Sequence, residues 1–347
     1  MKTYKNILVV RTDRIGDVIL TTPAIKALKD KFPQARLTVL VAPLTYDLLH
    51  GLKWIDEIMV DDRAGLNKGM MGFFHLMHSL RHKKFDLAVV FHTKRRTNLL
   101  CFLAGIPNRL GYRNGKYGFL LNRPMDDDRH HGQKHEAAYC IDLLAAVGVK
   151  AGPPELAVAV QESSEQWVLD FLKGKGVEPA HHLYIIHPAA SDPAKQWPKE
   201  NFAELIDAIA KRDANARFLI VGGNENQPTA RNIQNKTNTE VLDTSGQLTI
   251  RQLVSVIKHC HMLISNDSGP VHIAAALKTP VVSIFTRNQP GINPQRWEPL
   301  GEKARVVSVA PDAGSDFRKA RPYDPNCMKP IPVRDVVAAV DALLKLC

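Results

Sequence analysis

The chain has 347 residues, 45% hydrophobic and 23% charged, which is ordinary globular composition at a length that can bury two cores. No run approaches the ~20 apolar residues of a spanning helix, and the apolar run at 7–10 is too short for a signal sequence, so any membrane contact is expected to be peripheral. The formal net charge of +11 points to an acidic partner, whether nucleic acid, an anionic membrane surface or a phosphorylated substrate, and charge alone does not choose among them.

Residues 6–10 read as a first buried parallel strand, 11–16 as a polar turn, and Thr22-Pro23 as the N-cap and first position of a helix running through Leu28 and Phe32. Strands are expected at 37–41, 57–60 and 87–91, with helices at 73–81, 99–104 and 136–147, the last stopped by Gly148. Residues 150–182 change character: Gly152-Pro153-Pro154, a polar helix around 166–172, then Gly174, Gly176 and Pro179. This stretch reads as an interdomain region. A second series follows, with strands at 183–186, 218–221, 241–242, 261–265, 280–285 and 306–309 and helices at 202–210, 250–257 and 273–277. The chain closes on an amphipathic helix that places Val336, Val337, Val340 and Leu343 on one face. Two successive βα series predict an α/β fold of two doubly wound, Rossmann-like domains facing across a cleft, at 1–165 and 180–330, with 331–347 as a separate closing helix. The ligand site is expected in that cleft, at the carboxyl ends of the strands.

The cysteines are scattered at positions 101, 140, 260, 327 and 347 with no C-x-x-C pair, which disfavours zinc and a disulfide framework and fits a reduced cytoplasmic setting. His130, His131 and His135 lie near Asp126, Asp127 and Asp128, but their spacing matches no standard metal pattern, so no metal is expected. Four turns at strand ends hold the candidate chemistry. In the first, Asp17 follows a glycine near a helix start, where it is either a base for an incoming hydroxyl or a helix cap. Arg11 and Arg14 beside it are anion-binding candidates or solvated charge, as are Lys94 and Arg95 farther on. In the second, 187–198, small residues let a ligand approach and Lys195 offers a mobile charge for a phosphate, while Trp197 reads as core. In the third, Glu225 follows Gly222-Gly223 and is either a ribose ligand or a first-turn helix carboxylate. The fourth, Asn266-Asp267-Ser268-Gly269-Pro270-Val271-His272, links a buried strand to a helix. Its first-turn amide groups suit an anion, and Asp267 suits sugar hydroxyls. Neither a Walker A loop nor a G-x-G-x-x-G fingerprint is present, and no nucleic-acid module is visible.

Taken in order, these blocks resemble glycosyltransferase family 9, the ADP-heptose:lipopolysaccharide heptosyltransferases. The likeness is carried by residues 9–17 with Thr22-Pro23-Ala24, by the 187–198 turn, by Gly222-Gly223, and by 265–272 with Ala274-Ala275-Ala276. Softer matches are 103–107 with Gly111-Tyr112-Arg113, and Cys327-Met328. The resemblance implies a GT-B architecture, a closing helix that crosses back to the first domain, and inverting, metal-independent transfer with no cofactor beyond the nucleotide-sugar substrate. It implies Asp17 as base and Lys195 on the diphosphate. Donor contacts would come from Ser191, Glu225, Asp267, Ser268, Gly269 and His272, and acceptor contacts from Arg11, Asp13, Arg14, Lys94 and Arg95. The acceptor would be the lipopolysaccharide inner core at the inner face of the inner membrane. The chain departs from the family at Ala190, where some members carry a hydroxyl, at Ser268, where threonine is common, and at 286–296, which is longer and more polar. A nucleotide-sugar 2-epimerase or a non-catalytic nucleotide-sugar-binding protein of the same architecture are the alternative readings.

Overall fold

The computed structural model describes residues 3–310 and 331–346. The chain divides into two compact units, one of residues 1–130 and 134–159, the other of residues 131–133 and 160–347. The first unit runs β1 (Asn6–Arg11), α1 (Ile15–Lys31), β2 (Arg36–Val41), α2 (Tyr46–Leu49), β3 (Glu57–Val60), α3 (Gly69–His82), β4 (Leu87–Val90), α4 (Arg95–Leu103), β5 (Arg109–Arg113), β6 (Arg123–Asp126) and α5 (Glu136–Leu143). The second runs α6 (Glu162–Gly174), β7 (His182–His187), α7 (Lys199–Ala210), β8 (Ala216–Ile220), α8 (Gln227–Lys236), β9 (Val241–Asp243), α9 (Ile250–His259), β10 (Met262–Asn266), α10 (Gly269–Leu277), β11 (Val281–Phe285), α11 (Pro294–Trp297), β12 (Ala304–Ser308) and α12 (Val333–Leu344).

Each unit is built on a six-stranded parallel sheet. The first has the order β3-β2-β1-β4-β5-β6, the second β12-β11-β10-β7-β8-β9. Both are the 3-2-1-4-5-6 order of a Rossmann-like fold, the second read from its other edge. The order reverses between β1 and β4 in one sheet and between β7 and β10 in the other. At such a switch point the neighbouring connections leave on opposite faces and open a crevice at the strands' carboxyl ends. The residues that matter for chemistry are therefore those that follow β1, β4, β7 and β10. The central strands are apolar because helices cover both faces: Leu8, Val9 and Val10 are fully buried, as are Leu263, Ile264, Val281 and Val282.

Several expectations are corrected. α1 begins at Ile15, not at Thr22, and carries Pro23 inside it. Proline lacks the N–H that Ile19's carbonyl would accept four residues on, and the Thr22 hydroxyl donates to that carbonyl at 2.7 Å instead. The helix therefore continues through a residue that looked like its start, and Asp17 falls in its first turn. The boundary between the units, at 159/160, falls inside the interdomain region expected at 150–182, and residues 160–174 belong to the second unit. α6 buries Val168 and Leu172 and packs on α9 within the second unit, where Lys258 donates to Glu165 at 2.5 Å. The closing helix α12 puts Val336, Val337, Val340 and Leu343 into the second unit's own core, against α7 and β12. β5 and β6 went unforeseen, because RLGYR and RPMD carry no apolar run; Pro124 is tolerated because β6 is an edge strand. The Cys327-Met328 match and Cys347 lie outside the described residues.

Candidate active site

At the switch point of the first sheet, the last residue of β1 organises everything around it. Arg11 is only 2% exposed, so its charge must be met from within. Its Nη2 donates to Asp17 Oδ1 at 2.6 Å and to Glu136 Oε1 at 3.4 Å, and its Nη1 donates to the carbonyl of Phe91, just past β4, at 3.3 Å. Its Nε sits 3.1 Å from Asp13 Oδ1, an ion pair whose angle falls short of a hydrogen bond. Glu136, the first residue of α5, also accepts from Arg129 at 3.4 Å, and Arg129 forks onto Asp127 at 2.8 and 2.9 Å. Arg11 is thus an internal counter-ion. Its guanidinium is held among Asp13, Asp17, Glu136 and the Phe91 carbonyl.

Three carboxylates, those of Asp13, Asp17 and Glu136, share this one buried guanidinium. The effect shows on Asp17: burial pushes its carboxyl up to about 6, Arg11 pulls the other way, and Asp13 and Glu136 push it up further. Asp13 is likewise raised, chiefly by burial. Asp17 lies in the first turn of α1, but no side-chain cap bond is made there. A partly buried acid raised in this way is a candidate for proton transfer. On its outer side, Thr12 Oγ1 accepts from Arg63 Nη2 at 3.0 Å and lies 3.0 Å from His92 Nδ1. Burial, then Arg11 and Lys94, hold the His92 imidazole down to about 3, so it is neutral at physiological pH. Arg14, Lys94 and Arg95 are exposed near this edge, with the Arg95 guanidinium 5.6 Å over the Tyr117 ring. Glu136, Arg129, Arg63 and His92 were not anticipated. Of these only His92 carried a signal, standing just beyond a strand end.

At the switch point of the second sheet, Asn266 ends β10 and is fully buried. Its Nδ2 donates to the Pro188 carbonyl at 2.7 Å and its Oδ1 accepts from the Trp197 amide at 3.0 Å, which pins both ends of the turn after β7. Trp197 is core, as expected: it is T-shaped to Phe202 at 5.0 Å, and its Nε1 donates to the Ile331 carbonyl at 2.9 Å. The pinned turn carries Lys195, which donates to the buried Asp267 carboxylate. Ser268 N-caps α10 by position, with Gly269 opening the helix and Pro270 in its first turn, where a missing N–H costs nothing. Its hydroxyl lies 3.1 Å from Nδ1 of buried His187, which also lies 3.0 Å from Ser265 Oγ. Burial alone holds His187 down to about 4. His272 is buried one turn into α10, whereas Ser191 and Glu225 are exposed at the ends of turns. Arg287, in the polar 286–296 segment, donates to Asp192 at 2.7 Å. Among the described residues no group of three or more His, Cys, Asp or Glu side chains is placed to hold a metal ion.

His187 gives a direct prediction about stability. Its folded value, about 4, lies below the ordinary 6.5, so the native state binds fewer protons between those limits. The stability it contributes is full above pH 6.5 and is lost as the pH falls towards 4, by roughly 3 kcal/mol. Urea unfolding of His187→Asn should show a flatter acid limb than the wild type across that window. Parallel curves would mean the imidazole is not what titrates.

Two Rossmann-like units of this kind, each with its polar cluster at a switch point, make a GT-B fold, the architecture of a class of glycosyltransferases. The profile of Glycosyltransferase family 9 (heptosyltransferase) matches residues 73–326, and the chain belongs to that family. It is 30% identical over 320 residues to lipopolysaccharide heptosyltransferase 2 of Salmonella typhimurium, covering 87% of this chain and 88% of that one. It is 28% identical over 318 residues to the Escherichia coli protein of the same name, with the same shares covered. Among solved structures, a family 9 glycosyl transferase from Veillonella parvula aligns over 100% of this chain and 99% of its own with a TM-score of 0.86 at 22% identity, which bears on fold alone.

Proposed function

We propose that the protein transfers a heptose from ADP-heptose to the inner core of lipopolysaccharide, with inversion at the anomeric carbon. The support is the family, the lipopolysaccharide heptosyltransferase names of its relatives, and above all one observation: a partly buried carboxyl at a switch point, 2.6 Å from a buried guanidinium, with its proton held near pH 6. In this reading an acceptor hydroxyl oxygen bonds to the anomeric carbon while the bond from that carbon to the diphosphate oxygen breaks. The electron pair leaves with ADP, and Asp17 takes the hydroxyl proton. The transition state has oxocarbenium character.

Lys195 and the first-turn amides of α10 meet the charge that grows on the diphosphate. In the free protein Lys195 is neutralised by Asp267, so donor binding must exchange one anion for another. Asp267, released, then accepts from sugar hydroxyls. Lys195→Ala should lower kcat/KM by ~10²–10³, while Lys195→Arg should recover part of it. An unchanged kcat/KM in the alanine variant would remove the lysine from the mechanism. Charge stabilisation is assigned to these groups and not to a metal ion, so transfer should survive EDTA. A loss that added Mg²⁺ restores would overturn that assignment.

Exposed Arg14, Lys94 and Arg95 remain the proposed acceptor contacts, facing the phosphates and acidic sugars of the core. Such an acceptor places the enzyme at the cytoplasmic face of the inner membrane; no helix among the described residues is long and apolar enough to cross one. The test is a mass-spectrometric screen of ADP-heptose and other nucleotide sugars against truncated lipopolysaccharide cores. A donor-only arm reports epimerisation as isomerised sugar, and turnover only in that arm would replace transfer with the epimerase reading.

A further inference from the structure

Among the described residues, seven of the ten large apolar side chains left exposed lie between Leu66 and Phe119, on the first unit. Clustering of that kind marks an interaction surface, where scattered exposure would not. α3 shows how it arises. The helix turns Gly72, Leu76 and Leu80 inward, and it carries Met70, Met71 and Phe74 on the opposite flank, with Met71 89% exposed. The flank is not a frayed end. Asn67 is buried; its Oδ1 accepts from the Asp62 amide at 2.9 Å and its carbonyl accepts from Arg96 at 3.1 Å. A Cβ on Gly72 would come within 2.5 Å of the Asn67 Cα, so the turn before α3 rests directly on the helix backbone. Leu66 is presented by a braced turn.

The turn after β5 is held against α4, the neighbour of α3. Asn98 Nδ2, in α4, donates to the Lys116 carbonyl at 2.9 Å, and α4 also packs on α3. This brings in Tyr117 and Phe119, the latter 79% exposed. The stretch that carries these side chains is cationic: between residues 61 and 119 there are eleven lysines and arginines against three aspartates, a surplus of eight out of the chain's +11. The Lys94 ammonium is held below its usual range by neighbouring Lys116, then by partial burial, so two cations already crowd each other here. The segments concerned follow β3, β4 and β5 and lie at the same edge of the sheet as Asp17, and Arg63 among them donates to Thr12, just after β1.

We propose that this face docks on an anionic lipid bilayer. Leu66, Met70, Met71 and Phe119 enter the boundary between headgroups and acyl chains, and the surrounding cations lie against lipid phosphates. Charge selects this occupant over a second copy of the chain, because an isologous dimer through this face would set one cationic surplus against another. The proposal rests on the proposed function to the extent that a lipid-linked acceptor explains why docking and Asp17 share an edge.

The experiment is co-sedimentation of the full chain with phosphatidylethanolamine–phosphatidylglycerol vesicles and with phosphatidylcholine vesicles. The wild type should favour the anionic vesicles and lose binding as salt is raised. Met70→Ser/Met71→Ser/Phe119→Ser, which touches only exposed side chains, should weaken partitioning ~10-fold or more and leave transfer to a delipidated, soluble core acceptor unchanged. Equal binding to both vesicle types, or partitioning of the triple variant like the wild type, overturns the proposal. So does a dimer in sedimentation velocity that the triple variant disperses. If the wild type binds anionic vesicles but transfers to no acceptor, the functional reading fails and the docking surface stands.

Discussion

Asp17→Asn is expected to lower kcat by ~10²–10⁴ and to leave donor affinity close to that of the wild type. The reason is specific to the position. Asparagine keeps the volume and an oxygen for Arg11, but it has no basic site for the acceptor's proton. Arg11 retains Asp13 and Glu136 as counter-charges, so the surrounding network keeps its balance and the variant should fold. The signature is in the pH profile. With the Asp17 carboxyl raised to about 6, wild-type kcat/KM should climb as the pH rises through 6 and then level off, because the carboxylate is the active form. The variant should lose that limb as well as the rate. Full transfer activity in Asp17→Asn, or a wild-type profile flat from pH 5 to 8, would remove Asp17 from the reaction.

How much of this was visible in the amino-acid order depends on the distance over which each feature is built. The buried strands 6–10, 261–265 and 280–285 were legible because a parallel strand covered on both faces is an uninterrupted apolar run. The turn at 266–270 was legible for a local reason too, since polar residues, glycine and proline there all serve one helix start. Pro23 misled because local propensity treats it as a helix start, and the Thr22 hydroxyl that lets the helix pass is a tertiary-independent repair that a propensity argument does not weigh. Asp17 could be picked out by its place after a strand, but its raised protonation range could not. That range is set by Arg11 and by Glu136, 119 residues downstream of Asp17, whose meeting depends on sheet order and on α5 packing against α1. The same distance explains why the burial of Arg11 was not foreseen. As a residue in a polar turn it read as an anion-binding group or as solvated charge, and only the fold reveals that it ends a buried strand.

Arg11→Met is expected to destabilise the protein by ~3–5 kcal/mol at pH 7–8, more than the loss of its methylene packing would explain. Methionine preserves much of the buried volume, so the cost reports the carboxylates left behind. Asp13 and Asp17 lose the cation they share, while Glu136 keeps Arg129. Arg11→Lys should rescue little, since one ammonium cannot span three carboxylates that a planar fork reaches from separate edges. The sign with pH follows from the direction of the shift. The Asp17 folded value already lies above its ordinary 3.8, so its charged form is the disfavoured one, and removing Arg11 raises it further. The variant's deficit should therefore be smallest below about pH 4, where the carboxyls are protonated in both states, and should grow as the pH rises through 6 and beyond. The activity limb should move to higher pH in step. A double-mutant cycle isolates the pair: in the Asp17→Asn background, Arg11→Met should cost measurably less than in the wild type, with a coupling of ~1–3 kcal/mol. Additive costs, or a deficit that does not change with pH, would show that Arg11 braces the strand end without acting as the counter-ion that sets the base.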